Sequence, residues 1–141
     1  MRFQHTLDVA APPERVFAAY ADVTRWPEWT DSVSSVELID PGPLAVGSRA
    51  RVRQPKLPAA VWVVTEMFPD RAFTWVAQGP GLRSTGTHTV EALPDGGSRV
   101  TAILDQSGPL GGVVGRLTKG LTESYLEMEL RGLQQRCEQP A

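Results

Sequence analysis

Apolar and polar positions alternate at the start of the chain. Phe3, His5, Leu7 and Val9 fall on one side and Gln4, Thr6 and Asp8 on the other, the two-residue period of a half-buried strand. In "APPERVFAAYADV" (11–23) the spacing changes. Paired prolines suit a first helical turn, where an N–H has no partner, and Val16, Phe17 and Tyr20 then share a face. Asp22 or Thr24 can cap a second, shorter helix with Pro27 at its first position, which would set Trp26 and Trp29 on one side of it. The pattern then returns to strands, at 34–39, 49–54, 60–68, 72–78, 82–93 and 98–107. The turn signals "DPGP", "PD", "GPG" and "PDGG" separate several of them. Connections this short make antiparallel neighbours.

The last segment is helical. Leu110, Val114, Leu117, Leu121, Tyr125 and Met128 form one stripe, and Leu126, Leu130, Leu133 and Cys137 a second on roughly the opposite side. We read one helix of about 25 residues, ~38 Å long. Glycines 111, 112, 115, 120 and 132 weaken it by roughly 1 kcal/mol each relative to alanine. An antiparallel seven-stranded sheet must bury one face, and this helix is the only element large enough to cover it. A twisted sheet would curl around it. The class is α+β.

Volume suggests what lies between sheet and helix. The inner face of the sixth strand reads Leu82, Ser84, Gly86, His88, Val90, Ala92. These groups are mostly small, and Gly111, Gly112 and Gly115 on the helix are smaller still. Interiors normally pack to crystal-like density, so small groups facing each other across a concave sheet leave a space. Trp62, Phe73, Trp75, Tyr125 and Met128 can wall it, with Leu117 and Leu121 on the helix side. The alternative is a flatter sheet whose aromatic residues fill the interior. Two of the four tryptophans stand in "RWPEWT" (25–30). Trp26 and Trp29 would plug the open end, one as an anchor and the other, taken as Trp29, against a ligand; both could equally be structural.

Composition narrows the setting. The 141 residues, read as one domain, are 41% hydrophobic and 21% charged with a formal net charge of −2, an ordinary globular balance. This average gives no reason to expect nucleic acid or an anionic membrane as a general partner. Cys137 is the single cysteine and there are two histidines, so no internal disulfide can form and a structural zinc site is not expected. No apolar run reaches signal-peptide or membrane-spanning length. The expectation is a cytoplasmic protein with no metal or cofactor, in an oligomeric state left open.

Few residues offer chemistry. His88 lies on the expected inner face, where an imidazole can serve as acid or base or simply hydrogen-bond a ligand carbonyl; His5 would be a core or rim residue. Glu66 joins Trp62, Val64, Phe73 and Trp75 if the hairpin at 69–70 has a two- or four-residue loop, and faces water if the loop has three. In the first case burial would raise its pKa. Tyr125, Asp105 and Arg83 complete the polar groups that could enter the cavity. Arg49, Arg51 and Arg53 alternate along the third strand with Lys56 beyond, either as a solvated face or as a dock for an acidic partner.

The segments "APPERVFAAYADVTRWPEWTDSV", "GPLAVGSRARVR", "VTEMFPDRAFTWVAQG", "GTHTVEALPDGGSRVTA" and "GPLGGVVGRLTKG" resemble the polyketide cyclase/dehydrase-like branch of the START/Bet v1-like (SRPBCC) superfamily. The resemblance implies a helix-grip fold, a seven-stranded antiparallel sheet around a C-terminal helix with a hydrophobic cavity between them. It also implies members that bind lipids, sterols, polyketides or quinones, some of which catalyse aromatisation, cyclisation or dehydration. Three functions follow as expectations. The first is binding of an apolar small molecule against Trp29, Trp62, Phe73, Trp75, His88, Leu117, Leu121, Tyr125 and Met128. The second is a cyclase, aromatase or dehydratase using His88, Glu66 or Tyr125 for proton transfer, and the third a protein-interaction module.

Overall fold

The computed structural model describes residues 1–139; positions 140 and 141 of the expected domain lie outside the described residues. The chain runs β1 (Arg2–Val9), α1 (Pro13–Ala21), a 3-10 helix (Val23–Glu28), β2 (Ser35–Leu38), β3 (Arg49–Arg53), β4 (Ala60–Phe68), β5 (Ala72–Gly79), β6 (Leu82–Ala92), β7 (Ser98–Ser107), α2 (Gly111–Leu117) and α3 (Lys119–Glu138). The strands form one seven-stranded sheet in the order β1-β7-β6-β5-β4-β3-β2, antiparallel throughout. The sheet covers α3, and the expected helix-grip arrangement is present.

The sheet register follows from its turns. Gly79 pairs with Leu82, so Pro80 and Gly81 alone make the β5–β6 turn, with Gly81 at φ +70°. Pro80 presets its own φ and glycine takes the left-handed position without a Cβ clash. Between β4 and β5 the loop is 69–71, because Phe68 pairs with Ala72, and Asp70 takes φ +63°. This is the three-residue loop. It pairs Met67 with Phe73 on the inner side and Glu66 with Thr74 on the outer side. A bulge between Val64 and Glu66 then restores Trp62 and Val64 to the inner face.

The core fills one end of the grip. Val16, Phe17 and Tyr20 of α1, Val23 and Trp26 of the 3-10 helix, and Leu130, Leu133 and Cys137 of α3 are buried against Val9, Val64, Phe73 and Val100 of the sheet. Trp26 and Trp29 do share a side. In a 3-10 helix three residues complete a turn, and their rings lie 5.6 Å apart.

Two expectations about the last segment are corrected. It is two helices, α2 and α3, which meet at Thr118. Its inward stripe is Val114, Thr118, Thr122, Leu126, Glu129, Leu130, Leu133 and Cys137, while Leu117 is 82% exposed. Three polar residues lie on that stripe, and a search for apolar periodicity passes over them. The glycines also have another purpose. A Cβ built at Gly111 would come within 2.7 Å of the Gln106 carbonyl oxygen, and one at Gly115 within 2.8 Å of Met1. Their smallness lets chain segments approach; it does not hollow the interior. At Gly132 a Cβ would lie 1.9 Å from the Trp29 carbonyl oxygen, so α3 lies directly against the tryptophan turn.

Candidate functional site

A cavity of about 570 Å³ lies between the sheet and the helices α2 and α3. The exposed members of its lining are Leu57, Pro58, Ala59 and Val61 of the β3–β4 segment and Gln78 and Gly79 of the β5–β6 hairpin. The mouth is therefore there, bordered on the third side by Val114 and Thr118. Two contacts frame it. The Leu110 N–H donates to Gly81 O (2.8 Å), and Tyr125 donates its phenolic proton to the Pro55 carbonyl.

The opposite, inner end is aromatic. Trp26 is only 2% exposed and donates Nε1–H to Tyr20 O at 2.9 Å. Its ring stands 5.4 Å from Trp75 and 5.7 Å from His88, and Trp75 in turn lies 5.6 Å from Trp62. Trp75 is paired with Gly86, and a Cβ at Gly86 would meet Trp75 Nε1 at 3.0 Å. The bare glycine makes room for the indole.

Polar atoms are few and placed at two depths. His88 Nδ1 lies 3.1 Å from Phe73 O. A carbonyl only accepts, so Nδ1 carries the proton and Nε2 keeps its lone pair. Burial lowers the His88 pKa to about 4, against the partial support of that carbonyl, and the ring is neutral at pH 7. On α3, Glu129 Oε2 accepts the hydrogen bond of Tyr20 Oη. Burial raises the Glu129 pKa to about 7 although this hydrogen bond lowers it, and burial likewise pushes the Tyr20 phenol well above its ordinary range. Every sealed side-chain N or O among the described residues has a partner. Among the described residues His88 Nε2, Glu129 Oε1 and Trp75 Nε1 make no hydrogen bond, so they face the cavity.

Nearer the mouth, Ser84 Oγ donates to Gln106 Oε1 (3.0 Å), which leaves the amide Nε2 of Gln106 for a guest. Ser84 and His88 lie four residues apart along β6, about 13 Å at strand rise. Thr118 and Thr122 satisfy their hydroxyls along the helix, at Val114 O (2.7 Å) and Thr118 Oγ1 (3.5 Å). They add small volume and little polarity to the wall.

The model of the family described as polyketide cyclase / dehydrase and lipid transport matches residues 1–138. The chain belongs to that family. A Mycobacterium tuberculosis protein is 29% identical over 110 residues, 74% of this chain, and the chain spans 64% of that relative's length. A START superfamily protein from Mycobacterium smegmatis shares the fold at TM-score 0.78 and 18% identity, with 97% of each chain covered. The Zhui aromatase/cyclase from Streptomyces sp. R1128 does so at TM-score 0.74 and 17% identity, covering 98% of this chain and 93% of its own.

Within this family architecture, the residues singled out in the sequence separate. Trp62, Trp75, His88 and Tyr125 line the cavity. Trp29 does not; Trp26 takes that place, and Trp29 packs behind it against Tyr20 and α3. The two short helices close the inner end and leave the mouth to the loops. Phe73 is core, stacked on the far side of His88 at 4.2 Å. Leu117, Leu121 and Met128 lie outside the lining because the polar stripe turns inward. Glu66, Asp105 and Arg83 are exposed, as their places on the outer face of the sheet require. His5 lies in the groove between β1 and α3.

The arginine face is partly neutralised. Arg49 is held by Asp40 at 3.0 Å, while Arg51 stands opposite Glu37 in the strand register with no ion pair among the described residues. Sequence reasoning missed Glu129, Ser84 and Gln106 as site residues. Only Ser84 carried a signal, by sharing the inner face of β6 with His88. Among the described residues no three His, Cys, Asp or Glu side chains gather to hold a metal ion, and no helix is long and apolar enough to cross a membrane.

Proposed function

We propose that this protein binds an apolar, partly planar small molecule carrying oxygen at or near both ends. The carrying observation is the lining itself. Indole and aliphatic surface dominates a 570 Å³ space, interrupted at the inner end by His88 Nε2, Trp75 Nε1 and Glu129 Oε1. Burial of apolar ligand surface supplies the driving force and these groups fix the orientation. Gln106 Nε2, beside Ser84 and nearer the mouth, gives the outer end its own partner. Polyketide-, quinone- and lipid-like compounds have this chemistry, and the family description is in keeping with it.

Substituting Thr122→Phe, which points a ring into the cavity, abolishes uptake of a hydrophobic fluorescent probe. Leu121→Trp, outside the lining, leaves uptake intact. Equal uptake by both variants overturns the reading. Native mass spectrometry of the purified protein then gives the mass of any molecule carried through purification.

One observation favours a second reading, a cyclase or dehydratase. Glu129, with a pKa of about 7, is partly protonated at neutral pH, so one group can both give and take a proton. His88, at about 4, is a weak base and serves better as a hydrogen-bond acceptor. The similarity to an aromatase/cyclase supports only the container. In this reading Glu129→Gln removes turnover of a β-hydroxyketone test substrate while probe affinity changes little. Equal losses of turnover and affinity reject it.

A further inference from the structure

The rim of the cavity carries a surface unlike the rest of the molecule. Eight large apolar residues are exposed among the described residues; Leu57 and Val61 line this mouth, and Leu110, Val113 and Leu117 stand on α2 and its N-cap beside it. Leu110, Val113 and Leu117 recur at helical spacing on an exposed face of α2, next to Val114, which lines the cavity. Leu117 is 82% exposed, an expensive position for a leucine unless something covers it.

Charge at the rim has one sign. The chain has 16 carboxylate residues, yet none lies within 41–65, 71–90 or 106–122, the stretches that contain the mouth loops and α2. The same rim carries Lys56, Arg83, Arg116 and Lys119, all exposed and none in an ion pair among the described residues. The acids that flank these stretches are Asp40, Glu66, Asp70, Glu91, Asp105 and Glu123; Asp40 is held by Arg49, Asp105 lies beside the N-terminal ammonium at 3.9 Å, and Glu123 stands one turn along α3 from Lys119. The net charge of −2 conceals this local field.

We infer that the mouth docks on an anionic lipid bilayer. Leucines and valines on a short helix, flanked by long cationic side chains, fit a surface with an apolar interior and anionic headgroups. An acidic protein would be drawn by the cations but offers no general match for five apolar side chains around an open hole. With the rim seated, an apolar guest passes between bilayer and cavity without crossing water. Docking itself does not depend on which guest the cavity holds.

The test is co-sedimentation with large unilamellar vesicles of phosphatidylcholine, with and without phosphatidylserine. The wild-type chain pellets with the anionic vesicles, little with the neutral ones, and is released by high salt. The double substitution Arg116→Gln, Lys119→Gln weakens the partition roughly 25-fold, about fivefold per cation, and Leu117→Asp abolishes it. These residues lie outside the cavity, so probe uptake is unchanged in every variant and reports that each is folded. Probe uptake without vesicle binding overturns the docking and leaves the binding function standing. Self-association in the absence of lipid, abolished by Leu117→Asp, overturns it in favour of a second copy. Capture of polyglutamate in place of vesicles overturns it in favour of an acidic protein partner.

Discussion

Tyr20 donates its phenolic proton to Glu129 across the inner end of the cavity, joining α1 to α3 over 109 positions of sequence. Both side chains are buried, so each is the main substitute for the water the other has lost. Tyr20→Phe leaves Oε2 without a donor and should cost about 1–3 kcal/mol, read as a lower denaturation midpoint with an unchanged slope. Because this hydrogen bond lowers the Glu129 pKa, its loss moves the carboxyl titration to higher pH. A carbon-13 NMR titration that moves the other way contradicts the assignment.

His88 and Glu129 have opposite effects on stability as pH changes. The His88 pKa falls from 6.5 to about 4 on folding, so the unfolded chain binds the proton first and stability drops as pH falls through that window. The Glu129 pKa rises from 4.5 to about 7, so the unfolded chain releases its proton first and stability drops as pH rises through that one. Each effect is about 3 kcal/mol, and between pH 4.5 and 6.5 they nearly cancel. The wild type should therefore show a flat profile there. Glu129→Gln should become less stable on acidification from about pH 6.5 to 4, and a parallel profile for the two proteins would count against this balance.

The two tryptophans of the short turn should respond differently. Trp26 has a wall to form and a hydrogen bond to Tyr20 O, so Trp26→Ala should cost about 3–5 kcal/mol and weaken probe binding. Trp29→Ala should leave probe affinity within error. Fluorescence titration and chemical denaturation of the two variants measure both.

Helix propensity and packing disagree at Gly132. Propensity alone would have Gly132→Ala gain up to about 1 kcal/mol. The Trp29 carbonyl, 1.9 Å from the new Cβ, turns that into a net loss of about 1–3 kcal/mol. Gly120→Ala meets nothing within 4 Å and should gain stability. Thermal melts of the pair settle the sign.

Much of the architecture was legible because strands write their period locally. The ranges 60–68 and 98–107 coincide with β4 and β7, and the inner face of β6 was correctly assigned from alternation alone. The facing of Glu66 was not, since it hangs on whether one turn has two, three or four residues. The helix stripe misled for a different reason. Apolar periodicity points Leu117, Leu121 and Met128 inward, while the cavity accepts Thr118, Thr122 and Glu129, whose polar groups find partners in the folded chain.

The amino-acid order by itself determined the seven strands, their antiparallel turns, the small-residue face of β6 and the aromatic residues available to wall a cavity. Each of these depends on neighbours a few positions away. Tertiary structure alone decided that Trp26 and not Trp29 meets the cavity, that a carboxyl from α3 joins a histidine from β6, and that the mouth opens among exposed leucines and unpaired cations. Those relations join segments far apart in sequence. The pKa values that distinguish His88 and Glu129 come from burial, which exists only once the segments have come together.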